Sequence, residues 1–194
     1  MSTEVAYLSA GELTAHYAAG SLSPKAATEA ALAAIAAHDG ALNAFRLVDA
    51  EAALAAAAES ERRWQAKAPL GPLDGIPVSI KDLLLTRGWP TLRGSKLVDP
   101  KQSWDEDAPG VARLREAGAV LLGKTNTAEF GWKGATDSPL AGITRNPWNL
   151  KLTPGGSSGG ASAARTRALY PRKAHQLCKA HTGTYQSIVS FQKR

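Results

Sequence analysis

Small and apolar residues in the first third of the chain recur at helical spacing, between recognisable start and stop signals. Ser9-Ala10-Gly11-Glu12 has the S-x-x-E spacing of a capping box, and Gly20 supplies a stop. Ser23-Pro24 places a capping hydroxyl before a proline in the first turn of a second helix. In the alanine-rich run that follows, Ala27, Ala30, Ala31, Ala34 and Ile35 form a small-residue face suited to close packing. That run reaches His38, where Asp39-Gly40 is expected to break it. A third helix is expected from Asp49 to about Lys67, ending before Pro69.

After Pro69 the period changes. Residues 70–77 are turn chemistry, and Val78-Ser79-Ile80-Lys81 is a short β-type run. Pro109 opens a helix reaching Glu116, closed by Gly118, and Ala119-Val120-Leu121-Leu122 is a compact apolar strand candidate. A strand, a helix and another strand in this rhythm predict an α/β sheet. There is no internal repeat.

Composition narrows the class. The chain has 194 residues, 44% hydrophobic and 21% charged, which is globular and fits one domain or part of a larger one. No apolar run approaches the ~20 residues of a membrane span, and no secretory leader follows Met1. One cysteine, Cys178, cannot form an internal disulfide, and no Cys/His cluster suggests a metal site. A reducing, cytoplasmic setting is therefore expected.

Charge divides the chain. Residues 1–164 hold all 17 acids against 16 Lys+Arg, whereas residues 165–194 hold seven basic residues and no acid. Alanine falls from 34 in the first part to 3 in the second. Two segments are expected, 1–164 and a basic tail 165–194.

Two glycine-rich motifs invite a chemical reading. Gly118-Ala119-Val120-Leu121-Leu122-Gly123-Lys124-Thr125 satisfies the phosphate-loop pattern G-x-x-x-x-G-K-S/T. The pattern works when the intervening residues form a loop around phosphate. Here they are apolar strand residues, so nucleotide binding is disfavoured and Lys124 reads as an ordinary strand-end lysine. The run Gly155-Gly156-Ser157-Ser158-Gly159-Gly160 suits either a flexible linker or a site where backbone approaches a substrate closely. Sequence physics leaves both open.

Several motifs occur in a telling order: Pro77-Val78-Ser79-Ile80-Lys81-Asp82, then Leu122-Gly123-Lys124-Thr125-Asn126 with Glu129-Phe130, then Thr144-Arg145-Asn146-Pro147-Trp148, then residues 154–160. That series resembles the amidase signature family of serine hydrolases, from about Val5 to Ala164. The resemblance implies an α/β fold, a mixed sheet flanked by helices, of which this chain would be the incomplete N-terminal part. It implies hydrolysis of carboxamide C–N bonds through an acyl-serine, on small amide substrates, without cofactor or metal. It implies a Ser-cisSer-Lys triad, with Lys81 as the lysine, Ser157 as the bridging serine and Ser158 assisting. Gly155 and Gly156 would bind through backbone, and Phe130, Gly131 and Trp132 would line the acyl pocket. A lysine serves as base only when desolvation lowers its pKa.

The resemblance stops after Ala164. The family continues with a G-T/S-D-x-G-G-S-I/V-R element whose last serine is the nucleophile. Counting forward from Ser157, that position falls at His181; Gly183-Thr184 echoes the element faintly, and Ser187 and Ser190 are out of register. The chain is therefore expected to lack the nucleophile, to be truncated and inactive as it stands, and to fold poorly around an incomplete sheet. The composition change suggests a shifted reading frame. Two alternatives stand beside a stand-alone amidase. One is the A subunit of the tRNA-dependent amidotransferase, from whose expected form residues 131–139 depart. The other is nucleic-acid binding through the basic tail, disfavoured because the tail lacks a helical period or recognised fold.

Overall fold

The computed structural model describes residue 5 and residues 8–168. The first helix, α1 (Ala10–Ala19), starts at Ser9 with both halves of the capping box formed and ends at Gly20 in the left-handed conformation. Helix α2 (Pro24–Leu42) starts at Ser23, whose hydroxyl accepts from the Ala26 N–H. Helix α3 (Ala50–Gln65) is capped by Asp49, and α4 spans Pro109–Glu116.

Asp39-Gly40 does not break α2, contrary to the sequence expectation. The helix runs on to Leu42, and the left-handed residue that ends it is Asn43, at φ 50°. Asp39 is turned forward instead, its carboxylate accepting the N–H groups of Ala44 (2.7 Å) and Phe45 (3.1 Å). It acts as a splice between the helix and the next strand, and burial raises its pKa. Gly40 is tolerated inside the helix at a cost of about 1 kcal/mol.

The strand after Asn43, β1 (Phe45–Val48), has no counterpart in the sequence reading. It joins β2 (Pro77–Lys81) and β3 (Val120–Thr125) in a sheet of order β1-β3-β2. β1 is antiparallel to β3, and β2 is parallel to it. The sheet is mixed and the fold α/β, as the resemblance implied. Among the described residues β2 has one strand partner, so its outer edge is open there.

Residues 118–125 are a turn followed by this central strand, which disposes of the phosphate-loop pattern. A bulge then decides which way its lysine faces. Val78 pairs with Leu121 but Ser79 pairs with Gly123, so β3 contributes one extra residue. Val120 and Leu122 face the core of α2, α3 and Ala163, while Leu121 faces Ile80, Trp89 and Val111. Strict alternation would send Lys124 to the Leu122 side. The extra residue moves it to the Ile80 side and leaves Thr125 paired with Lys81. Gly123 permits this because a Cβ there would collide with the Leu47 carbonyl.

A short 3-10 turn (Glu129–Gly131), a small hairpin of β4 (Asp137–Ser138) and β5 (Gly142–Ile143), and helix α5 (Gly159–Ala168) complete the described chain. Helix α5 lies on β2, β3 and α2, with Ala163 and Ala164 in the core. The division expected after Ala164 therefore falls inside a helix. The tail from 169 onward, with His181, Ser187 and Ser190, lies outside the described residues.

Candidate active site

Lys81 ends β2 and rises from the sheet on the face that α5 covers. Its Nζ donates to the Ser157 hydroxyl (2.8 Å) and the Ser158 hydroxyl (2.8 Å). Among the described residues no carboxylate pairs with it. Burial is the cause that lowers its pKa, because a half-buried ammonium loses hydration without gaining an anion.

Both serines are held by backbone rather than by long side chains. The Gly156–Ser157 peptide is cis. Thr127 Oγ1 donates to the Ser157 carbonyl (2.9 Å), and Thr136 Oγ1 donates to the Gly155 carbonyl (2.8 Å) while accepting from the Gly159 N–H (2.9 Å). Gly160 N–H donates to the Asn126 carbonyl (3.2 Å). A Cβ on Gly156 would stand 2.7 Å from the Ala135 nitrogen, and one on Gly160 would strike the Asn126 backbone. The run 155–160 is thus a close-packed loop entering a helix, not a linker. Thr127 and Thr136 were missed by the sequence reading. Thr127 directly follows the Gly-Lys-Thr-Asn motif, so its place was a signal; Thr136 carried none.

The three residues expected at the acyl pocket separate. Gly131 is close to the serine, since a Cβ on it would lie 3.4 Å from Ser157 Oγ and 2.7 Å from Leu83 Cδ1. Phe130, at φ 47°, is 49% exposed, and Trp132 is 91% exposed. His181, the position counted for the nucleophile, lies outside the described residues.

Lys124 requires a correction: it is no ordinary strand-end lysine. It is completely buried on the opposite face from Lys81, donating to the Leu84 carbonyl (2.6 Å), Thr91 Oγ1 (2.7 Å) and Thr86 Oγ1 (3.2 Å). Asp82 Oδ1 stands 3.8 Å away, and Asp82 Oδ2 pairs with Arg46 at 3.0 Å. Burial pushes Lys124 down to about 8, with the Asp82 charge opposing the shift.

Comparison with known proteins identifies this arrangement. The profile of the Amidase family matches residues 26–171. The chain belongs to the amidase signature family. Similar curated proteins include the A subunit of the glutamyl-tRNA(Gln) amidotransferase of Acidothermus cellulolyticus, 47% identical over 155 residues, covering 79% of this chain and 30% of that protein. The protein of the same name from Salinispora tropica is 47% identical over 163 residues, covering 84% and 33%. Among solved structures, the native peptide amidase from Stenotrophomonas maltophilia is 36% identical at a TM-score of 0.76, over 82% of this chain and 34% of that one. A bacterial aryl acylamidase of the same family is 33% identical at 0.77, over 85% and 34%. The chain spans about a third of the length of these relatives. Among the described residues, no helix is long and apolar enough to cross a membrane.

Proposed function

We propose that this chain carries the base half of an amide-cleaving acyl-transfer site. Lys81 is the base, Ser157 the relay hydroxyl, and Ser158 holds the amine in place. The single observation supporting this is the 2.8 Å approach of Lys81 Nζ to both hydroxyls, with no acid partner among the described residues. A neutral amine there accepts a proton from Ser157, which in turn takes one from an attacking serine. Gly155 and Gly156 keep the approach backbone-lined. Gly131 borders the reacting side, and Phe130 and Trp132 present apolar surface beside it for the acyl group of a small carboxamide. No cofactor enters this scheme.

The nucleophile is a separate matter. At the family's position this chain has His181, so the chain by itself is proposed to form no acyl-serine. A fluorophosphonate probe reads this directly: background labelling is expected, and stoichiometric labelling of Ser157, Ser187 or Ser190 would refute it. The base assignment has its own test, competitive acetylation of lysines across pH. Lys81 should titrate lower in the folded chain than in the same chain unfolded in urea, because burial lowers its pKa; an unchanged midpoint removes it as a base.

A second reading is membership of an amidotransferase assembly, favoured by the 47% identity to proteins named as that subunit. Glutamine as the amide donor would distinguish it from a stand-alone amidase acting on simple amides. We also propose a separate origin for the basic segment from 165 onward, although α5 continues to Ala168 and the family match to 171. The coding DNA tests it: another frame beyond this point should spell G-T/S-D-x-G-G-S.

A further inference from the structure

Lys81 differs from the other buried or half-buried cations that the fold pairs with acids, in having hydroxyls and no acid around its nitrogen. Arg46, Arg63, Arg115 and Lys124 each face an aspartate. An amine so placed is a nucleophile as well as a base. It is half-buried rather than sealed, whereas Lys124 has no exposed surface.

The surroundings also suit a new anion at that point. The two hydroxyls on Lys81 Nζ accept from it now, and each can rotate to donate to an oxygen instead. Helix α5 begins at Gly159, directly after Ser158, which fixes the Ser158 hydroxyl beside the amine. No described carboxylate pairs with the amine to repel a negative charge.

We propose that Lys81 is a carbon dioxide acceptor, forming a reversible carbamate held by the Ser157 and Ser158 hydroxyls. The proposal rests on reading Lys81 as an uncharged base. Its nitrogen lone pair forms the N–C bond, one C=O π pair moves onto oxygen, and an N–H proton leaves to water. Nothing is oxidised or reduced. The carbamate nitrogen loses its basic lone pair, and the new carboxylate oxygens become the acceptors facing the Ser157 and Ser158 hydroxyls, so carbon dioxide moves the proton acceptor from nitrogen to oxygen. Burial lowers the Lys81 pKa in the sense the reaction needs.

The experiment uses the full chain equilibrated with 13C-bicarbonate near pH 8, trapped with a trialkyloxonium reagent and mapped by peptide mass spectrometry. Lys81 should carry the label in excess over exposed Lys25 and Lys133. Unfolding in urea before trapping should bring Lys81 to their level, and Ser158→Ala should reduce the excess in the folded chain. Lys81 labelled no more than Lys25 in the folded chain overturns the proposal, as does an excess that survives unfolding. If acetylation shows a low Lys81 midpoint but no carbamate forms, this inference fails and the proposed base stands. An ordinary midpoint removes both.

Discussion

The β2–β3 pair carries a lysine on each face, Lys124 buried and Lys81 half-buried, and the two lead different lives. Lys124 has three oxygen acceptors, one for each N–H, and a carboxylate at 3.8 Å. Its acceptors Leu84, Thr86 and Thr91 all lie on the segment that follows Lys81, so it works as a cross-link from the central strand to that segment. Lys81 has two hydroxyls, which are themselves donors, and no acid. Burial lowers both lysines. Partners therefore mark the contrast: an anion and fixed acceptors surround Lys124, whereas exchangeable hydroxyls surround Lys81, as the proposed base requires. Both settings lie within two adjacent strands.

The largest expected effect comes from breaking the structural face. Lys124→Ala leaves Asp82 buried with one cation fewer and strips three oxygens of their donor. It should cost about 3–5 kcal/mol, read by chemical denaturation. An effect below about 1 kcal/mol would mean that water replaces the ammonium.

A pH series sharpens the same contrast. Lys124 titrates near 8 in the fold, against an ordinary 10.5. Between these values the unfolded chain binds a proton that the folded chain does not, so stability from this group rises with pH in that window and is flat below it. The limiting slope is about 1.4 kcal/mol per pH unit. Lys81 adds a slope of the same sign, so the difference between wild type and Lys124→Met isolates Lys124. Equal slopes in the two proteins would contradict the assignment.

On the site face, Gly160→Ala forces a methyl group into the Asn126 backbone and should destabilise by about 1–3 kcal/mol. Because α5 begins beside Ser158, it should also move the Lys81 acetylation midpoint toward its value in the unfolded chain; an unchanged midpoint would uncouple the two. The smallest expected effect is that of Lys81→Met. It removes two hydrogen bonds but also the cost of desolvating a half-buried amine, so stability should change by less than about 1 kcal/mol. A loss as large as that for Lys124→Ala would erase the distinction between the faces.

Much of this was legible in the chain. Ser9, Gly20, Ser23 and Asp49 act as caps or stops where their chemistry puts them. The helix 109–116 has the boundaries its proline and glycine imply. The motif series gave the family, and Lys81, Ser157 and Ser158 do meet. Where the reading failed, a distant partner had intervened. Asp39-Gly40 was expected to break the helix, but Ala44 and Phe45 draw the Asp39 carboxylate forward and the helix runs on. β1 is four residues long with no clear alternation, and pairing with β3 makes it a strand.

Local signals therefore fixed the helix ends, the α/β class and the identity of the residues that gather at the site, because caps, turns and motif spacing act over a few residues. Which face of the sheet Lys124 takes was decided by the tertiary structure. A single extra residue in β3, permitted where Gly123 passes the Leu47 carbonyl, exchanges the faces of Lys124 and Thr125. Period-two alternation has no memory across such a bulge. The amine's chemistry then follows from which oxygens the rest of the chain has brought to that face.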